Sequence, residues 1–167
     1  MIEISPAAKS DIPLIQRIAD QTWPATFSTI ISEGKMNYML EMMYSIESLT
    51  EQVEKNGHCF LLAKNNQKCV GFASYELNYN NSKTTKIHKL YVLPETQGKG
   101  VGKLLINEIA GLAKQGDNDV LSLDVNRNNP AIQFYERFGF NKLWEENEPI
   151  GGRYMMEYYI MEKQLSK

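Results

Sequence analysis

The segment Leu90-Tyr91-Val92-Leu93-Pro94-Glu95-Thr96-Gln97-Gly98-Lys99-Gly100-Val101-Gly102-Lys103-Leu104-Leu105 constrains this chain more than any other. It leads an apolar strand into a glycine-rich turn and from there into an amphipathic helix. Glycines at alternate positions leave backbone N–H groups uncovered, and the helix behind them adds the positive end of its dipole. Such a turn is a cradle for an anion, with room for a pyrophosphate.

Two familiar phosphate motifs fit it poorly. A Walker A loop would end in Gly102-Lys103, but Gln97 stands where its first glycine belongs and Leu104 where a Ser or Thr should reach magnesium. A Rossmann fingerprint would read Gly98-x-Gly100-x-x-Lys103, with a lysine where helix and strand must pack closely. Asp124 does follow about 20 residues later, as that fingerprint requires, so a nucleotide-binding oxidoreductase stays open at this point.

A chain of 167 residues, 43% of them hydrophobic, can bury a core of its own, and one domain over residues 1–167 is expected. No apolar run approaches the ~18 residues of a membrane span, and Met1-Ile2-Glu3-Ile4 alternates like a strand where a signal peptide would be basic and then apolar. The expectation is a cytoplasmic protein. Net charge is −2 with lysines dispersed, which argues against nucleic-acid or membrane partners. Cys59 and Cys69 fall on two strands of one hairpin in a register that does not oppose them, so free thiols are expected. These cysteines and the isolated His58 and His88 give no metal-ligand spacing, and no metal is expected.

Read in order, Ile2–Ile4 is a strand. Ser10-Asp11 and Pro13 open a helix carrying Leu14, Ile15, Ile18 and Ala19 that should end near Trp23-Pro24. Ser32 and Ser45 cap two further helices, the first with Met36, Met39, Leu40 and Met43 at helical spacing, the second with Leu49 and Val53 and closed by Gly57. Residues 58–64 and 68–77 read as a hairpin, and 84–93 as the strand entering the glycine turn. A helix over 98–114 with Leu104, Leu105, Ile109 and Leu112 inward, then a buried strand over 120–125, complete a βαβ unit. Asn129-Pro130 opens a helix that stops at Gly139, and strands over 140–144 and 153–162 flank a turn-rich 147–152. The fold class is α+β with a mixed sheet.

The pattern Gln97-x-x-Gly100-x-Gly102 after a strand ending Leu-Tyr-Val resembles the acetyl-CoA-binding motif of the GNAT superfamily of N-acetyltransferases. A second marker, Asn128-Asn129-Pro130-Ala131-Ile132-Gln133-Phe134-Tyr135-Glu136-Arg137-Phe138-Gly139-Phe140, resembles that superfamily's N-x-x-A-I-x-F-Y-x-x-x-G-F pattern. The resemblance implies a mostly antiparallel, twisted sheet of about seven strands with helices on both faces and a splayed central strand pair. It implies acetyl-CoA as co-substrate, its arm held by backbone groups of Leu90 and Val92, its pyrophosphate by Gln97, Gly98, Lys99, Gly100, Val101, Gly102 and Lys103, with Asn128 on the arm and Tyr135 near the sulfur.

Residues 22–27 and 38–45 are similar to a bacterial subgroup that includes spermidine and spermine N-acetyltransferases. From that likeness, Trp23 with Glu41, Glu76 and Glu157 would form the acceptor pocket for a primary amine of a small molecule such as a polyamine. Direct transfer within a ternary complex needs a proton acceptor for the amine and a donor for the thiolate. The resemblance makes Tyr135 the acid; His88, on the strand face of Lys86 and Leu90, is the base, with Glu76 as runner-up. Lys86 falls where some members carry a glutamate base. Alternatives are an idle acyl-CoA-binding module and acetylation of a peptide or protein amine. The chain is expected to be a monomer or homodimer.

Overall fold

The computed structural model describes residues 1–165. Its elements run β1 (Ile2–Pro6), α1 (Ile12–Phe27), α2 (Glu33–Tyr44), α3 (Ile46–Glu54), β2 (Cys59–Asn65), β3 (Lys68–Glu76), β4 (Thr84–Val92), α4 (Val101–Gln115), β5 (Val120–Asn126), α5 (Ala131–Phe138), β6 (Asn141–Gly151) and β7 (Tyr154–Gln164). The strands form one sheet in the order β1-β2-β3-β4-β5-β7-β6. Among the described residues only β4 and β5 pair in parallel, through the α4 crossover, so the sheet is mixed and mostly antiparallel, in line with the α+β reading. That arrangement disposes of the mostly parallel Rossmann sheet.

Local chemistry explains most boundaries. Asn66 and Gln67, at φ +51° and +72°, make a two-residue turn between β2 and β3. The register sets Cys59 opposite Tyr75 and Cys69 opposite Lys64, and both thiols are free. Ser32 and Ser45 cap α2 and α3 by accepting from the Lys35 and Ser48 N–H groups. The largest core side chains, Trp23, Tyr44 and Phe72 among them, lie where α1–α3 cover one face of the sheet.

Four local expectations are corrected. Helix α1 does not stop at Pro24 but continues to Phe27. The ladder resumes with Ser28 N–H on the Pro24 carbonyl, while buried Trp23 and Phe27 anchor that turn. Helix α4 begins at Val101 because Gly98 and Gly100 hold left-handed φ of +83° and +81°. Its buried stripe is Val101, Leu105, Ile109 and Ala113 with Ile106, so Leu104 turns outward at 41% exposure. Residues 147–151 belong to β6, not to a turn. Pro149 is tolerated there because β6 is the sheet edge, and the reversal is confined to Gly151-Gly152-Arg153, all at positive φ.

Candidate active site

The site lies where β4 and β5 part. Their parallel pairing ends at Ile87 with Leu123, and beyond it the two strands enclose a cavity of about 630 Å³. Leu93 N–H bonds the Val70 carbonyl of β3. By strand alternation, Leu90 and Val92 therefore present N–H and C=O on the opposite side, toward the gap. One of these groups has found a partner: the Val92 carbonyl accepts from the Gln97 side chain at 3.2 Å.

The floor of the cavity is the glycine turn. Gln97, Gly98, Gly100, Val101, Gly102 and Lys103 line it, while exposed Lys99 does not. A Cβ at Gly98 or Gly100 would meet nothing within 4 Å, so glycine there serves the backbone conformation and leaves the space in front of the N–H groups clear. The N–H groups of the first turn of α4 stand behind that turn without intrahelical partners. An anionic, elongated cofactor arm fits this combination of a bare turn, a helix N-terminus and a strand edge.

From the second motif, Ala131, Phe134 and Tyr135 reach the cavity. Tyr135 is buried beside Phe134 and Phe140, and burial raises its phenol well above the ordinary value, so it stays protonated in neutral solution. Asn128 is exposed and off the cavity wall, which Asn126 and Asn129 line instead. Asn129 also turns the chain into α5, its Oδ1 accepting from the Ala131 N–H at 2.8 Å.

A second cavity of about 210 Å³ adjoins the first and shares His88, Lys89, Tyr91 and Asp124 with it. Trp23, Met39, Met43 and Tyr44 come to it from the helices, Met156 and Tyr158 from β7. The β6–β7 tip is pinned over α2 by the Tyr38 hydroxyl, which donates to the Ile150 carbonyl at 2.7 Å. Glu41 and Glu157 are exposed and line neither cavity. Inward Met39 and Met43 turn Glu41 outward on α2, and inward Met156 and Tyr158 turn Glu157 outward on β7. The two β7 side chains escaped the sequence reading, although alternation about Glu157 is a signal for them.

A bulge at His88 sets the chemistry of this end. Ser74 pairs with Lys89 and Tyr75 with Ile87, leaving His88 as the extra residue. His88 therefore joins Lys86 and Lys89 on the face of the helical layer, and Leu90 turns to the other face, contrary to the expected sharing. His88 Nε2 lies 2.9 Å from Glu76 Oε1. Far from being isolated, the two histidines stack at 3.9 Å and 13°, with His58 Nε2 at 3.6 Å from the same carboxylate oxygen. Burial, with the Lys89 and Lys86 ammoniums beside it, pushes His88 down to about 3. Burial, with His88 and Lys89, pushes His58 down to about 4 against the opposing pull of Glu76. Both rings are neutral near pH 7, and His88 then donates its Nε2–H to Glu76.

His58, Glu76 and His88 offer ligand atoms within 4.8 Å of one another. Coordination of one ion would require the rings to leave their near-parallel stack, because the lone pairs of stacked rings run side by side. Lys86 is paired with Asp124, Nζ to Oδ2 at 2.8 Å. Lys89 is buried with its ammonium 5.5 Å from the centre of the Tyr44 ring, and burial lowers it to about 8.

Comparison with known proteins agrees with this geometry. The profile of the acetyltransferase (GNAT) family matches residues 16–140. The spermidine N(1)-acetyltransferase of Thermoplasma acidophilum is 26% identical over 144 residues, 83% of this chain and 88% of that protein. An uncharacterised N-acetyltransferase of Methanocaldococcus jannaschii is 34% identical over 98 residues, of which the match spans 56% of this chain and 42% of that protein's length. Among solved structures, the PaiA N-acetyltransferase of T. acidophilum in complex with coenzyme A superposes with a TM-score of 0.81 at 25% identity, covering 98% of this chain and 99% of that one. Among the described residues no helix is long and apolar enough to cross a membrane. With the profile spanning the helical cover, the splayed strands, the glycine turn and α5, the chain is a member of the acetyltransferase (GNAT) family.

Proposed function

We propose that this GNAT acetyltransferase transfers an acetyl group from acetyl-CoA to a primary amine of a small molecule, by direct attack with both substrates bound. The observation that carries this reading is the meeting of two cavities at His88, Lys89, Tyr91 and Asp124, one backed by an anion-binding turn and the other by aromatic and methionine side chains. Bound acetyl-CoA supplies the thioester. The amides of the glycine turn and α4 hold its phosphates, and the free edge of β4 at Leu90 and Val92 holds its arm.

The amine must first shed its ammonium proton, and only the neutral fraction attacks. As its lone pair enters the new C–N bond, one of its two remaining N–H protons becomes acidic and passes to a neutral imidazole, while the other stays in the amide. His88 has that role, with Glu76 orienting the ring from behind. As the C–S bond breaks, the Tyr135 phenol gives its proton to the departing sulfur. Positioning both substrates supplies much of the remaining acceleration.

For the acceptor we propose a polyamine. The supporting observations are the apolar second cavity, suited to an aliphatic body, and the printed activity of the T. acidophilum relative. Thiol release from acetyl-CoA, measured across spermidine, spermine, aminoglycosides, amino acids and peptide N-termini, tests both levels. Turnover with any small primary amine supports acetyl transfer, and preference for spermidine or spermine supports the polyamine. Acetyl-CoA binding without turnover of any amine would indicate an idle binding module instead.

A further inference from the structure

We propose that Lys89 is a further catalytic residue of the transfer, its ammonium holding the carbonyl oxygen of the thioester as that oxygen takes up negative charge. The inference rests on the acetyl-transfer reading above. In that reaction the amine lone pair forms the C–N bond while the carbonyl π pair moves onto oxygen; the C=O bond then re-forms as the C–S bond breaks. His88 takes one proton from the nitrogen and Tyr135 gives one to the sulfur. The oxyanion between those two steps still needs a partner.

The path of the cofactor arm leads to Lys89. With its phosphates at the glycine turn, the arm runs back along β4 past Val92 and Leu90, and the next residues in line are Lys89 and His88, which line the larger cavity together with Tyr135. Strand alternation would set Lys89 and His88 on opposite faces, but the bulge puts both on the face of the helical layer. Lys89 therefore stands beside the base, and its side chain also lines the second cavity, from which the amine arrives.

Its charge is uncommitted. Among the described residues no carboxylate pairs with Lys89: Lys86 holds Asp124 at 2.8 Å, and His88 lies 2.9 Å from Glu76. The rings of Tyr44 and Phe60, 5.5 and 5.9 Å from Nζ, flank the ammonium and leave its N–H donors free. Lys89 is 8% exposed, and its Nζ is not one of the sealed polar atoms of the core. A buried cation without an anion is costly, and burial lowers this one to about 8. An interaction that is missing at rest and gained when the oxyanion forms is of the kind that lowers the barrier. The same charge disfavours a second cation at this point, so the nitrogen that docks here is the neutral one, the form that attacks.

Steady-state kinetics with acetyl-CoA and spermidine test the assignment. Lys89→Met keeps an apolar stem and removes the charge: kcat should fall about 100-fold while KM for neither substrate rises, and the melting temperature should not drop, because an unpaired buried charge is gone. The groups facing Lys89 are Lys86, His88 and Tyr91 on β4, Asp124 on β5, Tyr44 on α2 and Tyr158 on β7, with His58 and Glu76 behind His88. Burial holds the three tyrosines far above pH 8 and the two histidines far below it. Wild-type kcat should therefore fall above about pH 8 as Lys89 loses its proton, and this limb should vanish in Lys89→Arg, which stays charged, with kcat kept within about tenfold. A folded Lys89→Met with unaltered kcat overturns the assignment, and so does an alkaline limb that survives in Lys89→Arg; should Lys89→Met fail to fold, the limb decides alone. Wild-type protein run in parallel separates the two levels. If wild type acetylates spermidine and Lys89→Met does so at full rate, only Lys89 loses its role; if wild type acetylates no primary amine, the transferase reading falls and takes Lys89 with it.

Discussion

The two cavities are built by opposite means. The larger one takes its distinctive part from backbone, the β4 edge beyond Ile87 and a turn whose glycines are kept bare, with Phe134 and Tyr135 beside them. The smaller one is walled by side chains from α1, α2, β4, β5 and β7, and the β6–β7 tip is pinned over α2 beside it. A backbone-built wall accepts one ligand shape and is insensitive to most side-chain changes. A wall built of side chains can change its ligand by single substitutions at distant positions, and it gathers the buried ionisable groups that make it responsive to pH.

The largest difference between the two regions should appear in acid. Unfolded histidines titrate near 6.5, whereas folded His58 and His88 are held near 4 and 3. Between those values the unfolded chain binds more protons, so stability is full above about pH 6.5 and is lost as pH falls. At about 1.4 kcal/mol per group and pH unit, the two together cost up to about 4 kcal/mol at pH 5. Thermal melting from pH 7 to 5 should show this fall in wild type and a flatter curve in the His58→Gln/His88→Gln double variant. Equal slopes would mean that the fold does not hold these rings neutral.

Next in size is Tyr135→Phe, which removes one proton donor and little volume. It should lower kcat by about 100-fold, roughly 2.7 kcal/mol, with acetyl-CoA affinity unchanged by calorimetry. Full turnover would remove the acid role from α5.

Gly100→Val tests the backbone-built wall. At φ +81° a β-branched residue is strained although its Cβ meets nothing, so the turn should deform and acetyl-CoA Kd should rise at least about tenfold, near 1.4 kcal/mol. Gly102→Ala, whose Cβ would only touch Phe134 at 3.4 Å, should change Kd less than about threefold. Equal effects at both positions would mean that turn conformation is not what matters.

The smallest effects are expected at Glu41→Gln and Glu157→Gln. Both carboxylates face water away from the cavities, and screening over about 10 Å leaves them little hold on an amine. Amine KM should move less than about twofold. A selective rise for spermidine would extend the acceptor site beyond the second cavity.

What could be read in advance follows the same division. The strand, glycine turn and α4 are contiguous, and each step has a local cause: apolar alternation, positive φ, an apolar stripe at helical spacing. Local signals fail where tertiary packing overrides them, as at Pro24, where Trp23 and Phe27 packing carries α1 onward, and at Pro149, which an edge strand accommodates. Around the second cavity the signals are weaker. Strand alternation applied to β4 gave Leu90 and His88 one face, because a bulge leaves no mark in this sequence. His58 and His88 looked isolated because their stacking depends on the pairing of β2 through β3 to β4.

By itself, then, the sequence determined the order of strands and helices, the turn that can cradle an anion and the tyrosine of α5, since these depend on residues near one another and on backbone preferences. The tertiary structure alone decided that β4 and β5 part after Ile87, that His88 is bulged onto Glu76, and that Asp124 stands where the cavities meet. Those features arise from register and splay between strands far apart in the chain, and such pairing energies are distributed over the whole sheet instead of being written at any one position.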